Sequence, residues 1–204
     1  MLGKTKSPLK VALIGGTFNP PTKCHIEIGC GILSLSLADE VWYVPNDKHP
    51  FRGIQPKKAH VLSFDQRIDL LQASLENMSR DVRERMKICE VDRGTTNITK
   101  ETISSLRRVY SHEFLWVLGT DCVNEWHKWA NIDWLLENVT FIVFPRKDHV
   151  PDESKYWGIL RERHHVLDGL IEPTGGSSTE ARLNPDGGLL FHNVVTLWKS
   201  FNNI

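Results

Sequence analysis

Residues 10–38 read KVALIGGTFNPPTKCHIEIGCGILSLSLA, a strand, a turn and a helix in that order. Val11, Ala12, Leu13 and Ile14 form an unbroken apolar run, the pattern of a strand buried on both faces of a parallel sheet, and Gly15-Gly16 ends it. Lacking Cβ atoms, these glycines let backbone N–H groups close on a phosphate, and Asn19-Pro20-Pro21 makes a stiff turn. Thr22 is the expected N-cap of a helix over 22–38, with His25 on its first turn. A helix start concentrates unpaired N–H groups and positive partial charge, so the turn and His25 together describe an anion site. The plainer reading is a glycine-rich turn with a packing histidine, and the surrounding chain has to decide between the two.

Working outward, the 204 residues suit one domain spanning 1–204, with no repeat, linker or low-complexity stretch. Lys plus Arg and Asp plus Glu each number 25, so no global charge favours nucleic acid or an anionic membrane. An anionic substrate must therefore be held by a local cluster. Cys24, Cys30, Cys89 and Cys122 show no CxxC pair, which reads as free thiols in a reducing compartment. With no apolar stretch long enough for a bilayer and no signal-peptide pattern, the chain is expected to be soluble and cytoplasmic.

The remaining segments alternate strand and helix. Residues 41–45 (VWYVP) are the expected second strand. The loop 46–60 carries Lys48, His49, Arg52, Lys57, Lys58 and His60 with little acid to offset them, as either a flap over phosphates or a solvated loop. Residues 64–79 place Ile68, Leu71, Leu75 and Met78 on one helical face. A third strand is expected over 85–93, a turn over 94–97, and a helix over 99–109. Residues 114–119 (FLWVLG) are another buried strand, whose carboxyl end is where ligands collect in open α/β sheets. Helical residues 123–129 and 132–136 follow, then a strand over 139–144. Trp157, Leu160 and Leu167 mark a further helix in 151–176, with His164-His165 as surface residues. Neighbouring histidines diverge on a helix, so no zinc or other protein-held metal is expected. In 175–182 (GGSSTEAR), Ser177 and Glu180 form a capping-box pattern with a helix from Ser178, Pro185 keeps that helix short, and 189–201 suggests a closing helix.

GGTFNPPTKCH resembles the first signature of the nucleotidyltransferase superfamily, in particular of the nicotinate and nicotinamide mononucleotide adenylyltransferases. Thr22 stands where a first histidine is usual and Cys24 where glycine is usual. SSTEAR is similar to the family's second signature, SSTxxR, with Gly176 in place of a preceding isoleucine. GTDCVNEWHKW at 119–129 is similar to the G-x-D-x-x-x-x-F/W-x-x-W block. Arg93, Gly94, Thr99, Glu101 and Thr102 fit a turn that lies beside the pyridine ring in the family, with Asn97-Ile98 in place of Ser-Tyr. The fold this implies is a doubly wound α/β domain with a mostly parallel sheet and right-handed crossovers.

The resemblance implies transfer of the adenylyl group of ATP to a pyridine mononucleotide, with Mg²⁺ carried by ATP. Phosphoryl-type transfer needs positioning and charge stabilisation rather than an enzymic nucleophile, and the sequence shows no nucleophile–base arrangement. The implied catalytic residues are His25 and Arg182. ATP would be bound by Gly15, Gly16, Thr17, Phe18, Thr22, His25, Gly119, Asp121, Ser177, Ser178, Thr179 and Arg182. The mononucleotide would be bound by Asn19, Lys48, Lys57, Thr99, Thr102 and Trp129. An indole face suits a flat heteroaromatic ring, and a guanidinium grips two phosphate oxygens at once. Trp126 is read as a core aromatic. Phosphopantetheine adenylyltransferases and cytidylyltransferases share the superfamily and stay open, as does a non-catalytic nucleotide-binding module. A dinucleotide-dependent dehydrogenase fits poorly, because GGTFNP lacks G-x-G-x-x-G spacing. The sequence assigns neither nicotinate nor nicotinamide, and no oligomeric state.

Overall fold

In the computed structural model the described residues are 7–48, 61–95, 98–144, 155–167, 173 and 175–204. The apolar run of the opening stretch becomes β1 (Lys10–Gly16), and its side chains divide between two cores. Val11 and Leu13 face one side of the sheet with Trp42, Phe114 and Trp116, while Ala12 and Ile14 face the other with Tyr43, Leu115 and Val117. Helices cover both faces, which is why no polar residue interrupts the run.

β1 is flanked by β2 (Glu40–Pro45) and β4 (Glu113–Gly119), both parallel to it. Leu13 is in register with Trp42 on one side and with Trp116 on the other. β3 (Met86–Ile88) lies outside β2, and β5 (Thr140–Phe144) and β6 (His165–Val166) lie beyond β4, giving the order β3-β2-β1-β4-β5-β6. Every pairing among the described strands is parallel, where the sequence led us to expect a mostly parallel sheet.

On one face, α1 (Lys23–Ser34) buries Ile26, Ile28 and Ile32, beside Leu71 and Leu75 of α2 (Phe64–Leu75). On the other, α4 (Thr99–Val109) buries Ile103 and Leu106, next to Leu135 of α6 (Ile132–Asn138) and Trp157 and Leu160 of α7 (Lys155–Arg163). A short helix α3 (Arg80–Glu84) precedes β3, and α5 (Thr120–Asn124) leaves β4. The chain closes with α8 (Ser178–Leu183) and α9 (His192–Asn202), whose Ala181, Val194 and Trp198 pack with Leu62 and Leu70 in a third apolar cluster.

Several expected boundaries shift. α1 stops at Ser34, and Ser36 takes a left-handed conformation with φ 55°. The expected 64–79 helix stops at Leu75, α3 being a separate element beyond it, and the 85–93 strand shrinks to three residues, with 91–94 forming a turn. Residues 123–129 are not one helix, since α5 ends at Asn124 and a 3₁₀ turn (Trp126–Lys128) follows. The closing helix begins at His192 rather than 189. Leu167 is buried beyond β6 rather than on α7, and His164 is half-buried, its Nδ1 accepting the Phe141 N–H at 3.2 Å. No helix of the described residues is long and apolar enough to cross a membrane.

Candidate active site

The strand order reverses at β1 and β4, so their helices leave on opposite faces and a crevice opens at their carboxyl ends. The loop 17–22, the first turn of α1, the start of α5 and the N-terminus of α8 all belong to this end of the sheet. Thr22 caps α1 in an extended conformation, with φ −101° and ψ 164°. Its backbone N–H donates to His25 Nδ1 at 3.0 Å, and its Oγ1 lies 2.7 Å from the same nitrogen. The Phe18 ring meets the His25 ring edge-on at 5.2 Å, and the Tyr43 hydroxyl donates to the His25 carbonyl at 3.3 Å. Part of the helix start is already used, because the Lys23 N–H donates to the Leu189 carbonyl at 2.9 Å.

The second motif docks directly on the first. The Ser178 hydroxyl donates to the Pro20 carbonyl at 2.8 Å, and Arg182 Nη1 donates to the Asn19 carbonyl at 2.8 Å. Arg182 Nη2 also donates to Thr179 Oγ1 at 2.9 Å. Of the five N–H bonds of a guanidinium, these two contacts leave three. Burial draws the Arg182 guanidinium below its ordinary value, yet a group of that basicity stays charged. Ser177 caps α8 by accepting the Glu180 N–H at 3.2 Å, while the Glu180 carboxylate accepts the Ser177 N–H. The capping box read from the sequence is therefore present.

Other predicted residues divide by burial. Gly15 and Gly16 end β1, but a Cβ on Gly15 would lie 2.7 Å from Trp116 Cζ2, so that glycine makes room for an indole of β4. Phe18, Asn19 and Thr22 are buried, with Asn19 Oδ1 accepting the Leu62 N–H at 3.1 Å beyond a cis Asn19–Pro20 peptide. The backbone carbonyl of Thr17 accepts from Arg67. Gly119 ends β4, and Asp121 lies half-buried in the first turn of α5. Lys48 is exposed, donating from Nζ to the Gly94 carbonyl at 3.1 Å, which joins the loop after β2 to the 91–95 turn. Thr99 opens α4 half-buried. The Thr102 hydroxyl is buried against the Asp92 carboxylate, at 2.7 and 2.9 Å from its two oxygens, and so supports the turn from within. Trp129 is half-buried at the end of the 3₁₀ turn, its ring 6.2 Å from that of Trp126. Trp126 is fully buried 4.8 Å from the Phe141 ring, the core role read from the sequence. Lys57 lies outside the described residues, as do Lys58 and Asn97.

Sequence reasoning missed Arg67. It is 2% exposed on α2 and donates to three carbonyls, those of Thr17 at 2.8 Å, Asn46 at 2.7 Å and Leu62 at 3.2 Å. One buried guanidinium thus ties the turn after β1 to the loop after β2. The available signal was an arginine at the i−4 position from Leu71, on the apolar face of the helix. A shallow cavity of about 410 Å³ between β3 and α4, lined by Trp42, Cys89, Tyr110 and His112 among others, contains none of the predicted site residues.

A family model described as cytidylyltransferase-like matches residues 13–184, spanning both motifs. The chain belongs to the cytidylyltransferase-like family. Two family relatives are a probable nicotinate-nucleotide adenylyltransferase of Shouchella clausii, 33% identical over 140 residues (67% of this chain, 68% of that one), and one of Bacillus mycoides, 29% identical over 170 residues (76% and 85%). The cytidylyltransferase-like fold also superposes on the Plasmodium falciparum nicotinic acid mononucleotide adenylyltransferase complexed with NaAD. That match has a TM-score of 0.76 and 18% identity, and it covers 95% of this chain and 96% of that one. The protein is a nucleotidyltransferase by this membership, with the two signatures of the family meeting at one end of its sheet.

Proposed function

We propose that the protein joins the AMP moiety of ATP to nicotinate mononucleotide, forming the dinucleotide and pyrophosphate in NAD biosynthesis, with nicotinamide mononucleotide as the second candidate acceptor. The observation that carries this reading is the docking of SSTEAR on GGTFNPPTKCH through Ser178 and Arg182, which puts a guanidinium and His25 at one crevice. The names of the relatives favour nicotinate. In the reaction an oxygen of the mononucleotide phosphate attacks the α-phosphorus of ATP, and the bond to the β-phosphate oxygen breaks with its electron pair leaving on pyrophosphate. His25 donates a hydrogen bond to the α-phosphoryl oxygens as charge develops on them, and Arg182 with Thr179 holds the β- and γ-phosphates. Backbone N–H groups of 15–17 and the Gly119–Asp121 segment line the ATP side. Trp129, Thr99 and Lys48 form the mononucleotide side, with Asn19 and Thr102 bracing it from beneath. Among the described residues no group of three or more His, Cys, Asp or Glu side chains is placed to hold a metal. On this reading Mg²⁺ enters with the nucleotide as MgATP. The reading is of one domain over 1–204, working in the cytoplasm, in keeping with four cysteines that form no disulfide.

The test is pyrophosphate release from MgATP with nicotinate and nicotinamide mononucleotides in separate reactions. Release that depends on nicotinate mononucleotide, with the matching dinucleotide formed, is the expected result. ATP binding without release in either reaction overturns the pyridine assignment, and release with phosphopantetheine moves the chain to that branch of the superfamily.

A further inference from the structure

We propose that Thr22 is not a ligand of ATP but the positioning residue of His25, holding its imidazole as the tautomer with the proton on Nε2. Thr22 is 1% exposed, so its hydroxyl has little access to a bound phosphate. It faces His25 Nδ1 at 2.7 Å, while the Thr22 backbone N–H points at the same nitrogen from 3.0 Å. The two donors differ in freedom. A hydroxyl hydrogen rotates to suit either tautomer, whereas the amide hydrogen is fixed in the peptide plane. Were the proton on Nδ1, it would confront that amide hydrogen across 3.0 Å. With Nδ1 as acceptor, both the amide and the hydroxyl of Thr22 donate to it, and the ring's single N–H is on Nε2, on the opposite side.

The backbone around the ring is pinned as well. The Lys23 N–H is held by the Leu189 carbonyl, and the His25 carbonyl by the Tyr43 hydroxyl. Phe18 packs its edge against the imidazole. The first turn of α1 therefore presents a neutral N–H donor of fixed direction and needs no imidazolium to do so. A histidine at position 22, usual in chains this one resembles, would keep the backbone donor but lose the rotatable hydroxyl.

The kinetic consequence rests on the adenylyl-transfer reading, whereas the tautomer rests on geometry alone, so the test reads both. Side-chain ¹⁵N shifts of His25 are measured in mildly alkaline buffer without substrate, on the parent chain and on Thr22→Ser and Thr22→Val. We expect protonated Nε2 and bare Nδ1 in all three chains, since each keeps the backbone donor, with the Nδ1 signal of Thr22→Val displaced from that of the parent and Thr22→Ser by loss of the hydroxyl bond. Losing one oriented hydrogen bond should lower kcat of Thr22→Val roughly tenfold with KM for ATP little changed, while Thr22→Ser stays near the parent. A proton on Nδ1 of the parent overturns the proposal, even if Thr22→Val fails to fold. So does a Thr22→Val chain with the parent's kcat. If the parent forms no dinucleotide, the adenylyl-transfer reading fails while the parent's spectrum still decides the tautomer.

Discussion

His25 sits at the third position of a helix, where its ring is close enough to the cap residue to be gripped by it. On the proposed reaction, replacing it with alanine removes a donor to the charge that develops on the α-phosphate, and kcat should fall roughly a hundredfold or more. Near-normal turnover in a single-turnover assay would remove His25 from the chemistry. Gly176 is set by a different constraint. It has φ +105°, and a Cβ there would lie 2.5 Å from the Leu189 side chain. The isoleucine of the resembling signature has no room in this backbone. Gly176→Ala should cost about 1–3 kcal/mol through the strained conformation, measured by urea unfolding. A substitution without effect would show that the segment before α8 relaxes freely.

At the scale of elements, the β5–β6 edge carries a titration. His164 accepts the Phe141 N–H, and burial, followed by Arg163 and His165, draws its pKa below the ordinary value of 6.5. A histidine kept neutral by folding binds fewer protons folded than unfolded. Its contribution to stability is therefore complete above 6.5 and is lost as the pH falls from there towards the lowered folded value. The melting temperature of the parent should drop more between neutral and mildly acidic buffer than that of His164→Asn, and equal drops would count against the assignment. The sequence marks His164-His165 as an exposed pair, because it shows that neighbours on a helix diverge but not that the helix stops before them. α7 ends at Arg163, and His165 already belongs to β6. Central elements were more legible. β1, β4 and α4 match the patterns within a residue or so, since strands buried on both faces and a helix with one apolar stripe leave period and length little ambiguity. Edge elements such as the three-residue β3 pack on one neighbour only, and a run of apolar residues says little about where such pairing ends.

Over the whole molecule, binding of MgATP should couple both ends of the chain. At a hundred times Kd, a ligand of the folded state stabilises it by about 2.7 kcal/mol, roughly 5–10 °C for a chain of this size. Scanning calorimetry should show that shift for the parent and a smaller one for Arg182→Gln, and no shift for the parent would end the ATP reading. The motifs of this site were readable because glycines, a cap and an arginine at fixed spacing have few other uses. Arg67 was not, for its partners are carbonyls of residues 17, 46 and 62, which any sequence supplies and only a fold collects. Ser177 caps its own helix as its spacing from Glu180 indicated, but the roles of the next two hydroxyls were equally hidden, with Ser178 on the Pro20 carbonyl and Thr179 on Arg182.

The contacts from Ser178 to Pro20 and from Arg182 to Asn19 span 158 and 163 residues. During synthesis, the glycine-rich turn and the first strands leave the ribosome long before the helix that docks on them. A growing chain can thus assemble much of its sheet while the turn after its first strand still lacks the helix that packs on it, and on the proposed reading its hold on ATP is completed only when the last fifth of the chain has emerged.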